Sequence, residues 1–365
     1  MEDNVRVSLD YLAKINYAVY ENSLSVLRHL HIENHSDIER LEVVLNISFQ
    51  PEFIKPYSVT IPNLPAGKSV DLGQIPLELI TEFILSLTET VRGEMILELT
   101  AQDLNQKSTH PLEVLPFDQW GGYQDSPEIL AAFSTPHHPD VTNRLVRAGE
   151  ILKNLTGRGA FSGYLAKDPN QVLRQVSAIY SAIAELQLNS VPALPGTSET
   201  GQRIRLVDEL IDKGFATALD LTMLFCAMAE AVGLHPLVIL LEGHTLPGVW
   251  LNGDLFPETI NYDSTAITKR MAKGMNQIAL FEATLLTKRE HCDFNQALES
   301  AAQRMETTDQ FVLSLDIFRA RNLGIRPLPV RVQDQGRYVL APRLSFDEQG
   351  VLPKELLIPG SETLP

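Results

Sequence analysis

The chain predicts an α+β protein built in two successive parts, an antiparallel β-sandwich followed by a domain in which helices and strands mix. Three observations carry this: a hydrophobic period of two over residues 5–116, a switch to helical periods from about 125, and the pair Gly121 and Gly122 where the change occurs. At 365 residues the chain is too long for one ordinary core and long enough for two. We therefore expect a first domain at 1–120, a second at 121–332, and a linker or extended tail at 333–365.

In the front part, Leu41, Val43, Leu45, Ile47 and Phe49 alternate with mostly polar neighbours, and Met95, Leu97 and Leu99 alternate around Glu94 and Glu98. Both segments read as strands with one face buried. The turn formers ENHSD (33–37) and LPAGKS (64–69) separate such strands, as a sandwich requires. PLEVLPFDQWGGY (111–123) ends the last of them.

In the back part, Asp168 before Pro169 supplies an N-cap and a first-turn proline, and Val172, Val176, Ile179, Tyr180 and Ile183 then fall on one helical face. RIRLVDELIDK (203–213) predicts a shorter helix, residues 217–233 a long apolar one, and HPLVILLE (235–242) a buried strand. Strands follow at 248–251 and 277–282, and helices at 293–306 and 309–322, the last stopped by Gly324 and Pro327.

Composition excludes several functions. Apolar residues at 44% and charged residues at 21% mark a folded protein, and a net charge of −16 opposes direct binding of nucleic acid, which needs Lys and Arg against phosphate. The terminus MEDNVRVSLDYL has no secretory pattern, and the densest apolar run, 221–234, carries Glu230 and is too short for a bilayer, so no membrane role is expected. Two cysteines, Cys226 and Cys292, form neither a disulfide framework nor a zinc quartet, which suits a reducing cytoplasm. His137 and His138 adjoin prolines and no His-Glu-x-x-His string exists; TGRGAFSGY lacks the spacing of a phosphate loop. No metal and no cofactor are expected.

One stretch has the marks of a site. Thr217 is a good N-cap and Asp220 stands three residues later, so the two can form a capping box that makes position 218 the first residue of the long helix. Amide donors and the positive end of the helix dipole meet there, which favours an anion and would lower the pKa of a thiol. His244, in EGHTLPGVWL just after a strand, is placed to act as a base, and Asp263, in ETINYDS after another strand candidate, is the natural carboxylate to orient it. A histidine at a strand end also reads as a hydrogen-bonded structural residue. Gln202 reads either as an oxyanion donor or, more plainly, as a turn residue; Glu282 in LFEAT reads as a salt-bridged residue or as a hydrogen-bond partner near the site.

GQRIRLV (201–207), ATALDLTMLFCA (216–227) and GLHPLVILLEGHTLPGVW (233–250) resemble the strings GQRVRLP, GTCLDLALLFAA and GLHPLLVLVEGHAFVGVW. Those strings are typical of a transglutaminase-like cysteine peptidase region near the amino terminus of large bacterial proteins that also carry helicase and nuclease domains. INYAVYENSLSVLRHLHIENHSD, LEVLPFDQWGG, AAFSTPHHP and RARNLGIRPLP extend the resemblance over about residues 10–330, and LFEAT is similar to the family's VEAT.

The resemblance implies an immunoglobulin-like β-sandwich followed by a transglutaminase-like or papain-like α+β domain. It implies Cys-His-Asp chemistry on protein amide bonds, with His244 as base and Asp263 as its acidic partner. Ala218 occupies the position of the nucleophilic cysteine, and Thr245 stands where the family tends to have alanine. Alanine offers no nucleophile, and Cys226 lies more than two helical turns away. Two explanations fit: an engineered removal of the nucleophile, which the persistence of Thr217, Asp220, Gly243 and His244 favours, or a natural pseudoenzyme that binds protein. The implied partners are a protein or peptide substrate and the helicase and nuclease domains of a bacterial anti-phage or genome-maintenance system.

Overall fold

The fold follows from a computed structural model that describes residues 5–124, 126–193, 201–288, 293–307, 309–334 and 337–341. It is a mixed α+β structure with several sheets, and contacts group Met1–Leu328 into one compact unit and Pro329–Pro365 into another.

The front of the first unit is built from two sheets. One has three strands, in the order Val5–Tyr11, Leu27–Asn34, Ser69–Asp71, all antiparallel. The other has five, in the order Lys14–Ile15, Leu104–Val114, Val91–Ala101, Arg40–Gln50, Tyr57–Leu64. Period two holds where predicted, since Val43, Leu45, Ile47, Phe49, Met95, Leu97 and Leu99 are all buried. Leu41 is the exception at 62% exposed. Glu42 takes a φ of +49°, and the turn in the chain there lets Arg40 and Val43 both face inward.

The back of the unit centres on a five-stranded sheet in the order Ile260–Asn261, Phe311–Asp316, Pro236–Leu241, His244–Trp250, Ile278–Leu280, again antiparallel throughout. The middle strand is apolar at nearly every position and buried at all of them. Leu237, Ile239 and Leu241 join Leu246, Trp250 and Phe256 in a core that also takes in Ile267 from helix Ser264–Met271 and Ala301 and Met305 from helix Phe294–Thr307. Helix Ala218–Ala231 packs against the strands Pro236–Leu241 and His244–Trp250 and against helices Pro139–Thr156 and Pro169–Ala184. Every residue from Leu219 to Ala229 is buried, so this helix is covered on all sides, and apart from Asp220 and Thr222 the buried run is apolar. Each fully buried leucine or phenylalanine side chain in it contributes roughly 1.5–3 kcal/mol.

Several expectations are corrected. Residues 309–322 do not form one helix: Phe311–Asp316 is a strand beside Pro236–Leu241, and only Ile317–Asn322 is helical. The switch is made by Asp316, whose Oδ1 accepts from the Arg319 amide as an N-cap, while its Oδ2 accepts from Trp250 Nε1 at 3.0 Å and the Phe256 amide at 2.9 Å. The helix expected from 203 begins at Val207, because Gln202 and Arg203 pair with Trp120 and Gln119. In the second unit Arg331–Asp334 pairs with Arg337–Leu340 as a hairpin. The expected tail beyond residue 341, and Cys292, lie outside the described residues.

Candidate active site

The start of the central helix has the predicted geometry. Thr217 Oγ1 accepts from the Asp220 amide at 3.2 Å, and Asp220 Oδ2 accepts from the Thr217 amide at 2.8 Å, closing a capping box. Asp220 is fully buried and also accepts from the Arg205 amide and guanidinium, both at 2.9 Å. Burial pushes its carboxyl above the usual range, against the pull of those amides and of Arg205. With Thr217 and Asp220 committed to each other, Ala218 and Leu219 are the residues the first turn presents to the cleft beside it.

That cleft has a volume of about 370 Å³ and is lined by Ser190, Val191, Gln202, Ala218, Leu219, Gly243, His244, Thr245 and Thr284, among others. Three of the four sequence candidates, Ala218, His244 and Gln202, therefore share one cavity. His244 arrives there through a two-residue turn, Glu242 and Gly243, joining Pro236–Leu241 to His244–Trp250. Gly243 has a φ of +70°, a conformation that favours glycine, and the turn makes the histidine the first residue of the returning strand at the end of the sheet. Gln202, held in register with Trp120, points its Nε2 at Thr217 Oγ1 at 3.4 Å, next to position 218.

The fourth candidate is corrected. Asp263 is exposed at the start of helix Ser264–Met271, where Oδ1 accepts from the Thr265 amide at 2.9 Å and Oδ2 from the Thr265 hydroxyl at 2.8 Å. These bonds hold its carboxyl below the usual range. Its strand is the far edge of the sheet, three strand spacings from that of His244, or roughly 14 Å. The carboxylate at His244 is instead Glu282, whose two oxygens both lie 3.0 Å from Nε2.

Glu282 reaches that place because its strand, Ile278–Leu280, is the direct neighbour of His244–Trp250 and runs antiparallel to it, with Gly248 opposite Leu280. The chain thus leaves the sheet at the end where His244 enters. Glu282 is 2% exposed and also accepts from the Thr284 hydroxyl at 2.7 Å, the Thr284 amide at 3.2 Å and Arg304 Nε at 3.1 Å. Burial raises its pKa, but the bonds from His244 and Thr284 outweigh that and bring the carboxyl down from 4.5 to about 2. Both readings of Glu282 open in the sequence, salt bridge and site neighbour, describe it.

Glu282 holds Nε2, and Nδ1 is the other ring nitrogen of His244. Cys226 cannot serve as a nucleophile in this cleft. It is fully buried with Sγ 3.9 Å from the Leu237 carbonyl, and burial drives its thiol well above the ordinary range, with Glu230 adding to the effect. His138 is likewise structural, its Nδ1 accepting from the Asp140 amide at 3.2 Å as the N-cap of helix Pro139–Thr156. Among the described residues no helix is long and apolar enough to cross a membrane.

No protein-family model and no curated protein sequence matches the chain. Among solved structures, one similar to it is a crystal structure of a provisionally assigned protease from Parabacteroides distasonis, with 12% identity over 70% of this chain and a TM-score of 0.21. The match spans 45% of the length of that chain. A TM-score so low gives no ground for carrying fold or chemistry from one to the other.

Proposed function

We propose that the cleft at the start of the central helix is the site of a cysteine peptidase or transglutaminase-like acyl transferase acting on protein amide bonds, with position 218 as the nucleophile's place. The observation that carries this reading is the convergence of Ala218, His244 and Gln202 on one cavity, with a buried carboxylate hydrogen-bonded to that histidine. With a thiol at 218, His244 Nδ1 takes its proton and the thiolate attacks the carbonyl. The Gln202 amide donates to the developing oxyanion, and the leaving amine takes the proton back from the imidazolium as the thioester forms. Water or an acceptor amine then resolves the thioester. Glu282 is a positioning residue that fixes the tautomer and stabilises the imidazolium. The chain as written carries alanine at 218 and therefore binds without turnover.

In the same reading residues 1–120 are an immunoglobulin-like sandwich and 121–332 the transglutaminase-like or papain-like domain, in a cytoplasmic bacterial protein of anti-phage defence or genome maintenance whose helicase and nuclease domains are its partners. The sequence resemblance supports these points.

The test is Ala218→Cys. Its new thiol is expected to react with iodoacetamide at neutral pH about tenfold faster than free cysteine, read by site-resolved mass spectrometry, and to lose most of that advantage in the His244→Ala background. A new thiol no faster than an ordinary free cysteine, or one indifferent to His244, would overturn the catalytic reading. The second reading, a natural pseudoenzyme that binds protein, is favoured by the alanine itself. It predicts a genomic alanine codon at 218 and binding to a partner that survives His244→Ala.

A further inference from the structure

The outer face of the three-stranded sheet carries a second chemical cluster, unrelated to the cleft. In HLHIEN the residues His29, His31 and Glu33 are two apart on strand Leu27–Asn34, so their side chains leave the same face, while Leu30 and Ile32 are buried on the other. On the neighbouring strand Asp71 stands directly opposite His31. One ligand atom each from His29, His31 and Asp71 lies within 4.8 Å of the other two, and His29 Nδ1 is 3.6 Å from Asp71 Oδ1. Two ligands of a tetrahedral zinc ion at about 2.0–2.1 Å from the metal are roughly 3.4 Å apart, so this pair already has the required separation. The His29 and His31 rings lie side by side, their planes within 12° of parallel and their centroids 6.1 Å apart.

We infer that His29, His31 and Asp71 form a binding site for a divalent transition metal, with Zn²⁺ the best-matched ion. Two imidazoles and one carboxylate are a borderline-soft donor set, which selects zinc and its neighbours over magnesium or calcium. Glu33 completes the arrangement. One of its oxygens lies 3.7 Å from His31 Nε2, so a small side-chain shift brings it onto a ring N–H of a metal-bound histidine, from where such carboxylates fix a ligand's orientation. The other lies 3.3 Å from His35 Nε2. Three protein ligands on an exposed face leave the fourth tetrahedral position open to water or to a donor from another molecule. On a strand the two-residue step makes the histidine pair, and the third ligand comes from an adjacent strand about 40 residues on in sequence, so neither helical His spacing nor paired cysteines mark the site.

The experiment is isothermal titration of the untagged, chelator-treated full chain with ZnCl₂. One equivalent is expected to bind, and His31→Gln and Asp71→Asn are each expected to weaken that binding at least about tenfold, with a smaller loss for Glu33→Gln. Far-UV circular dichroism of each variant checks that the sheet is intact. Asp71 is exposed and His31 partly so, which makes both substitutions tolerable. Should His31→Gln fail to fold, Asp71→Asn decides alone. No binding up to about 0.1 mM zinc, or one equivalent held unchanged by the variants, would overturn the assignment.

Discussion

The two edges of the sheet that carries His244 both release the chain into a carboxylate, and the two carboxylates meet opposite fates. At the Ile260–Asn261 edge, Asp263 turns back on its own helix, bonds Thr265 and stays in water. At the Ile278–Leu280 edge, Glu282 is buried and collects donors from three elements, His244, Thr284 and Arg304. A residue that can satisfy itself two positions along needs nothing from the fold. A carboxylate carried into the interior persists only if the fold brings it partners, because an unpaired buried charge is costly. The second kind is therefore the informative one when a histidine's partner is sought.

The largest expected separation between the edges is in reactivity. In the Ala218→Cys background, Glu282→Ala is expected to slow alkylation at position 218 by up to about tenfold, whereas Asp263→Ala leaves it within about twofold. Equal effects would erase the distinction, and a larger effect of Asp263 would restore the expectation drawn from the sequence. Next in size is a change that moves the Glu282 edge without touching its chemistry. A Cβ on Gly248 would lie 2.4 Å from Leu280 Cδ2 and 3.2 Å from Leu237 Cβ. Gly248→Ala is thus expected to cost about 2 kcal/mol in urea denaturation, and to disturb the site through the strand that delivers Glu282. A variant as stable as the parent would show that this edge gives way easily.

These edges also mark how far the sequence could be read. The capping box at Thr217 and Asp220, the helix begun by Asp168 and Pro169, and the buried strand Pro236–Leu241 were legible because each is written in neighbouring residues. Phe311–Asp316 was not. FVLSLD is a short, largely apolar run whose period cannot distinguish a strand from a buried helical turn, and its place beside Pro236–Leu241 is a tertiary fact. The expectation that Asp263 sits at His244 lacked the same tertiary information. Asp263 and Glu282 both follow strands, both cap what comes next, and only the sheet order tells which strand neighbours His244. The signal that could have favoured Glu282 was its setting in LFEAT, an acid directly after an apolar run, which is odd unless something inside pairs with it.

Acid should separate the two carboxylates by a smaller but sharper measure. The Glu282 carboxyl, buried yet bonded by His244 and Thr284, sits at about 2 in the folded chain against 4.5 when unconstrained. A depressed folded value means that the unfolded chain takes up the proton first, so stability falls as pH falls. The Glu282 contribution is whole above about 4.5, declines between 4.5 and 2, and is gone below 2. Glu282→Gln removes the charge and with it this dependence. The parent should exceed the variant by about 2 kcal/mol at pH 6, and the gap should narrow steadily in urea titrations taken toward pH 3. For Asp263→Asn the cap is kept in part and the group is solvated, so the corresponding gap should be small at every pH. A gap for Glu282→Gln that stays constant from pH 6 to pH 3 would mean that the His244 bond does not hold the carboxylate ionised, and the contrast between the two edges would lose its electrostatic basis.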